Sequence, residues 1–294
     1  MAWLTLGAVG IDKVVDQDPL LLPKAMMFPT RPWDDFVPHC EALGAEHVDM
    51  ANQTLLNSVH SYVLRTGRAK ILIDACIGNH KATGVPMFDG RDAPYLDRLA
   101  AIGLGPEDID VVLCTHMHAD HVGWNTRLQD GRWVPTFPKA RYVFARTELD
   151  NLQARASDKN EGLSFLAVYK ESVLPVVEAG QAELVATDHE LEKGIWLEPA
   201  PGHTPGNVII HLQSQDAHGV FSGDVVHHPV QIPNPDWSPV FCQDPLHSAA
   251  TRKRVVETLA DTDITLLPAH FRGATAGTIR GNGDACAFHF HGTD

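Results

Sequence analysis

Between Cys114 and Trp124 the chain reads CTHMHADHVGW, with His116, His118, Asp120 and His121 inside six positions. The preceding stretch IDVVLCT is rich in branched apolar residues and reads as a buried strand. Residues two apart do not face each other on a helix, so His116, His118 and His121 are expected in a loop that turns them inward. A loop at a strand's C-terminal end is where α/β sheets place their chemistry. The motif therefore asks for a fold with a buried strand whose end opens on a site. Imidazole nitrogens and carboxylate oxygens are zinc donors, and an open catalytic zinc takes three protein ligands plus water. Four donors are too many for one such ion, so the motif asks for more partners elsewhere.

The surrounding pattern supplies them. VHSYVLR (59–65) and KILIDA (70–75) read as strands joined by a TG turn. A helix is expected from Asp92 as N-cap, carrying Leu96, Leu99 and Ile102 on one face and ending at Gly103. ARYVFA (140–145) is a further strand. The stretch from Arg146 to about Leu174 reads as mostly helical, with Pro175 as its stop. A strand-rich half follows in ELVA, GIWLEP, NVIIHL and GVFSG, then a helix from about Ser248 to Leu259 and the strand ITLLPA, which ends the regular pattern. Three candidate donors sit beside these strands as the first motif sits beside its own: His203 in PGHTPG, Asp224 after GVFSG, and His270 after ITLLPA.

Composition narrows the partners. The 294 residues are 44% hydrophobic, with no Ser/Gly linker or charge block, so one domain over 1–294 is expected, with 1–57 as an N-terminal arm packed on it. The net charge of −14, with acidic and basic residues interspersed, repels phosphate backbones and anionic membranes. MAWLTLGAVGIDKVV lacks a basic leader and reads as a strand. No apolar run approaches the roughly 18 residues needed to span a bilayer. Five scattered cysteines without CxxC spacing read as free thiols in a reducing cytoplasm.

THMHADH, PGHTPG, SGD and PAH, in that order, resemble the metallo-β-lactamase superfamily over about 58–274. The resemblance implies an α/β fold, a four-layer αβ/βα sandwich of two mixed β-sheets flanked by helices. It also implies a site for two divalent metal ions, usually Zn2+. Carried over residue by residue, His116, His118 and His203 would hold the first ion, Asp120, His121 and His270 the second, and Asp224 would bridge them. The best-known β-lactamases have a cysteine ligand where this chain has Asp224. That places it nearer the Asp-bridged hydrolases, which include N-acyl homoserine lactonases, glyoxalase II, organophosphate hydrolases and tRNA-processing nucleases. Two departures stand out. Asn207 takes the last place of the GHTPGH pattern, and His227 stands where homoserine lactonases often carry a tyrosine aimed at the substrate carbonyl.

The function implied is a dinuclear metal-dependent hydrolase cleaving a small ester or lactone by attack of a metal-bridging hydroxide. Asp120 would shuttle the proton and His227 would donate to the developing oxyanion. A phosphotriester hydrolase is the alternative on the same site. A redox enzyme would bring a glutamate in place of His118 and a flavin domain, neither of which this sequence has. A non-catalytic zinc scaffold would have lost a ligand, and none is lost. Of the neighbours His227 and His228, one is expected to orient a ligand and the other to face solvent. The proline-rich segment 229–245, with Trp237 and Phe241, and Trp124 are expected to wall the pocket. AMMFPTRPWDDF (25–36) packs on its own domain, caps the cleft or makes a homodimer contact, and the sequence does not choose.

Overall fold

The computed structural model describes residues 2–158, 163–283 and 285–292. They form two compact units, one of residues 1–17 and 59–189 and the other of 18–58 and 190–294. Among the described residues there are two large sheets, which both mix parallel and antiparallel pairs, and a separate two-stranded pair, Thr126–Gln129 with Arg132–Pro135. The fold class is the expected α/β one.

The first sheet runs through strands Leu4–Leu6, Val9–Pro23, Thr54–Arg65, Lys70–Ile73, Val111–Leu113, Arg141–Ala145 and Ala182–Val185. The last four are parallel neighbours, and all three residues of Val111–Leu113 are buried. A strand buried on both faces reads as a continuous branched run, as IDVVLC does. The helix after Lys70–Ile73 spans Tyr95–Ala101 and buries Tyr95 and Leu99, one turn apart. Its start corrects the expectation of Asp92 as N-cap. The Asp92 carboxylate instead accepts from Asn79 Nδ2 at 3.2 Å, while Asn79 Oδ1 takes the Ala93 N–H. The helical stretch after Arg146 consists of Arg146–Ser157, Leu163–Val168, a π turn Tyr169–Val173 and Leu174–Glu178. Residues 159–162 of that expectation lie outside the described residues. Pro175 does not stop the helix. It sits in the first turn of Leu174–Glu178, where a missing N–H costs no hydrogen bond.

In the second unit seven strands follow chain order: Glu190–Glu192, Ile195–Pro199, Val208–Ser214, Ala217–Phe221, Thr265–Leu267, Gly277–Asn282 and Ala285–Phe290. Helix Pro245–Leu259 begins with Asp244 accepting from the His247 N–H at 2.9 Å, and Pro245 takes the first position. Val255, Val256 and Leu259 bury against Ile209, Val220 and Leu266 of the sheet. The final hairpin, Gly277–Asn282 with Ala285–Phe290, overturns the expectation that regular structure ends at ITLLPA. Its strands are short of branched residues. Their place comes from packing, with Phe288 and Phe290 partly buried against the core and Phe271 meeting Phe288 edge-on at 5.1 Å. Segment 25–36 packs within this unit, where Met27, Phe28 and Phe36 are buried. Among the described residues no helix is long and apolar enough to cross a membrane.

Candidate metal centre

In the first unit, strand Val111–Leu113 delivers the histidine motif from its C-terminal end. His116 and His118 follow outside helix and strand, His118 with extended backbone, and Asp120 and His121 lie in a single helical turn, Ala119–Val122. The expectation of a loop therefore holds for two of the three histidines, and one turn of helix presents the third. His116 lies 4.0 Å from His121 and 4.8 Å from His118, ring centre to ring centre. His121 Nε2 lies 3.9 Å from Asp120 Oδ1.

A buried carboxylate absent from the expected set holds this arrangement. Asp74, at the end of strand Lys70–Ile73, accepts from the Thr115 N–H at 2.7 Å and from its hydroxyl at 2.8 Å. It also lies 2.9 Å from His121 Nδ1. The Asp74 carboxylate accepts the Nδ1 proton, so the Nε2 lone pair of His121 points toward Asp120. Glu148, also buried, accepts from the Met117 N–H at 3.1 Å and fixes the chain between His116 and His118. Asp74 was legible in principle, because it occupies the same strand-end position as the other donors. Burial pushes the Cys114 thiol well above its ordinary range, so it stays a small apolar side chain under the motif.

The second unit gathers its three donors around one carboxylate. Asp224 Oδ1 lies 3.0 Å from His270 Nε2, and Oδ2 lies 3.3 Å from His203 Nε2. His227 Nε2 is 3.1 Å from the same Oδ2. All four residues are buried. His203 sits in a loop closed at its base by Asn207, whose side chain donates to Ala200 O at 2.9 Å. Asn207 is thus the clasp of the loop, which is why its departure from the GHTPGH pattern leaves His203 in place. Gly202 is required there, since a Cβ would come within 2.2 Å of the Ser248 nitrogen. His203 Nδ1 lies 3.5 Å from the Cys242 sulfur, which no sequence signal marked.

The donor chemistry fits a cation. His270 Nδ1 lies 2.9 Å from Ser58 O and must donate to it, so a neutral His270 turns its Nε2 lone pair toward a carboxylate oxygen. Two acceptors 3.0 Å apart require a positive centre between them. Asp224 meets three imidazoles with two oxygens.

His227 and His228 are both buried, so neither faces solvent as expected of one of them. His228 Nε2 meets His47 O at 3.0 Å and its Nδ1 accepts from the Val230 N–H. Burial pushes its pKa down to about 3, and it is a satisfied structural histidine. His227 is tied by its backbone, donating to Gln231 Oε1 at 2.7 Å and accepting from Asn57 Nδ2 at 2.6 Å. Burial holds its imidazole below the ordinary histidine range, against the pull of Asp224. Two of the expected pocket walls are core residues. Trp237 packs on Phe36 at 4.5 Å with the Arg31 guanidinium over its ring, and Trp124 stacks on Tyr95 at 5.1 Å. Large rings bury wherever they find flat partners. Phe241 alone of the three stays partly exposed, 6.2 Å from the His227 ring.

Comparison with known proteins gives the family and the fold. The family model of the metallo-beta-lactamase superfamily matches residues 55–270. An N-acyl homoserine lactonase of Bacillus cereus is 26% identical over 174 residues, 55% of this chain and 61% of that protein. The chain thus spans about three fifths of the length of this curated relative. Among solved structures, the dizinc quorum-quenching lactonase AidC superposes with a TM-score of 0.79 at 19% identity, covering 97% of this chain and 95% of that one. The hydrolase AbOPH of the beta lactamase superfamily gives 0.81 at 22% identity, with the same coverage. At these identities the structural likeness speaks for the fold.

Proposed function

Because the chain belongs to the metallo-β-lactamase superfamily, we propose that it is a metal-dependent hydrolase of a small lactone or ester. In this reading His116, His118 and His203 hold one divalent ion, Asp120, His121 and His270 a second, and Asp224 is shared. The observation that carries it is the buried Asp224 carboxylate with three imidazole nitrogens within 3.3 Å. Mixed imidazole and carboxylate donors suit zinc. A bound pair would supply Lewis-acid polarisation of the scissile carbonyl and a water acidified toward neutral pH.

The chain's own residues do the rest. Asp74 and Ser58 O hold the Nδ1 protons of His121 and His270, so both rings present Nε2. Asp120, with its side chain 16% exposed, takes the proton from the attacking water and returns it to the leaving oxygen. Once metal engages the Asp224 carboxylate, the His227 N–H that lies against it would donate to the oxygen on which negative charge develops. The small neutral substrate fits the net charge of −14, which opposes polyanions. The named activities of the B. cereus and AidC relatives support a lactone as the first choice.

The test is a panel of an acyl homoserine lactone, an aryl ester, a β-lactam and a phosphotriester, run with metal analysis. Two metals per chain, loss of turnover with a chelator, and lactone or ester cleaved well ahead of β-lactam are expected. Full activity in metal-free protein would end the proposal, and phosphotriester turnover far ahead of the rest would replace its substrate class.

His227→Ala separates that residue's role from the metals. Removing one preorganised donor costs about 10²–10³-fold in kcat, so kcat is expected to fall by that much, with KM little changed and both metals retained. Loss of metal in step with kcat would instead make His227 a residue that positions Asp224.

A further inference from the structure

A second cluster of imidazoles lies elsewhere in the second unit, on strands Ile195–Pro199, Val208–Ser214 and Ala217–Phe221. Trp196 pairs across strands with His211, and its indole stacks flat on that ring at 4.6 Å and 2°. His218 sits opposite Gln213 on the next strand, one diagonal step from His211 on the same sheet face. His211 Nδ1 and His218 Nε2 are 2.9 Å apart. On the other side of the ring, His211 Nε2 is 2.9 Å from Glu198 Oε2. Glu198 is itself fixed by Arg254, which contacts its Oε1 and donates to Pro199 O at 3.1 Å.

We propose that His211 and His218 form a second metal site, taking a borderline divalent ion such as Cu2+ between His211 Nδ1 and His218 Nε2. Glu198 sets the tautomer of His211. Its carboxylate accepts the Nε2 proton of His211, so the neutral ring must present its lone pair at Nδ1. That lone pair faces a second imidazole nitrogen at 2.9 Å, so either a hydrogen-bonding proton or a metal ion stands between them. It is the Nε2 proton of a neutral His218 until a metal displaces it. A carboxylate behind an imidazole is the arrangement that orients a metal-binding histidine and raises its basicity. Here Trp196 also fixes the ring plane.

The spacing selects the ion. With bonds of roughly 2.0–2.1 Å, nitrogens 2.9 Å apart subtend about 90° at the ion. That is the cis angle of a tetragonal centre rather than a tetrahedral one, and tetragonal nitrogen and oxygen sites favour Cu2+ or Ni2+. Cu2+ is also the tightest divalent binder in the first-row series. Burial holds both imidazoles below the ordinary histidine range, so they are neutral ligands at pH 7. His211 is buried while His218 is half-buried, which leaves water to fill the remaining positions from the solvent side.

The experiment titrates Cu2+ into the full chain as purified, with resident metals counted before and after, and reads bound copper by electron paramagnetic resonance. The wild-type protein is expected to hold one Cu2+ per chain beyond its resident metals, with a tetragonal two-nitrogen spectrum. His218→Ala should lose that ion, at least a 100-fold loss in affinity, while keeping ester or lactone turnover. His218→Gln keeps a donor for His211 Nδ1 but no imidazole, and should lose the ion equally. It guards against a folding defect in the alanine variant. Glu198→Gln should weaken copper by about 10–100-fold. If His218→Ala and His218→Gln take up the same copper with the same spectrum as wild type, the proposal fails. It fails equally if wild type takes up none, since the proton then holds the pair.

Discussion

Asp224→Ala is expected to abolish hydrolysis, with a loss of at least about 10²–10³-fold in kcat/KM, and to leave the protein with fewer than two metals. His203, His227 and His270 all reach this one carboxylate within 3.3 Å. Removing it strips the shared negative charge from three buried imidazoles at once, where removing any single histidine would leave two of the contacts. Asp224→Asn distinguishes charge from shape. It keeps the volume and one acceptor oxygen but loses the charge that a shared ligand needs. It should therefore resemble the alanine variant in metal content while retaining more of the wild-type thermal stability. Metal analysis and turnover on the same preparations check both. Wild-type metal content with wild-type turnover in Asp224→Ala would remove the basis of the proposed function.

Gly123→Ala is expected to lower stability by about 3 kcal/mol or more, the upper range for overpacking, because the new methyl group meets backbone rather than a movable side chain. A Cβ on Gly123 would stand 1.7 Å from Ile77 O and 2.6 Å from the Gly78 nitrogen. The position itself has ordinary helical dihedrals, so the cost is contact and not conformation. The crossing chain answers in kind. Gly78 has φ of +80°, and a Cβ there would lie 2.7 Å from the Gly123 carbonyl carbon. Three backbone hydrogen bonds stitch the crossing: Ala75 N to His121 O, Gly123 N to Cys76 O and Trp124 N to Ala75 O. Pushing it apart would also displace His121 from Asp74. A fall in Tm of roughly 6 °C or more should therefore come with weaker metal binding. An unchanged Tm would show that the crossing can widen freely.

The sequence by itself determined where the proposed donors lie along the chain and their local settings. His116, His118, Asp120, His121, His203, Asp224 and His270 each follow a run of branched or apolar residues that forms a strand. That pattern is local, with period and turn signals spanning fewer than about ten residues. The strands Lys70–Ile73, Val111–Leu113, Arg141–Ala145 and Val208–Ser214 were legible for the same reason. The family likeness added the order in which those elements recur.

The tertiary structure decided which residues hold the donors and which neighbours are ordinary core. Asp74 reaches His121 across 47 positions, Asn57 reaches His227 across 170, and Ser58 reaches His270 across 212. Such pairings are set by strand register and by the packing of distant segments, which no local window contains. The same cause turned His228 into a satisfied structural histidine and drew Trp237 onto Phe36. It also moved the helix start from Asp92 to Tyr95, because Asn79 reached Asp92 and the Ala93 N–H. An imidazole, an indole and a carboxylate each have several uses. The partner the fold brings within about 3 Å selects one of them.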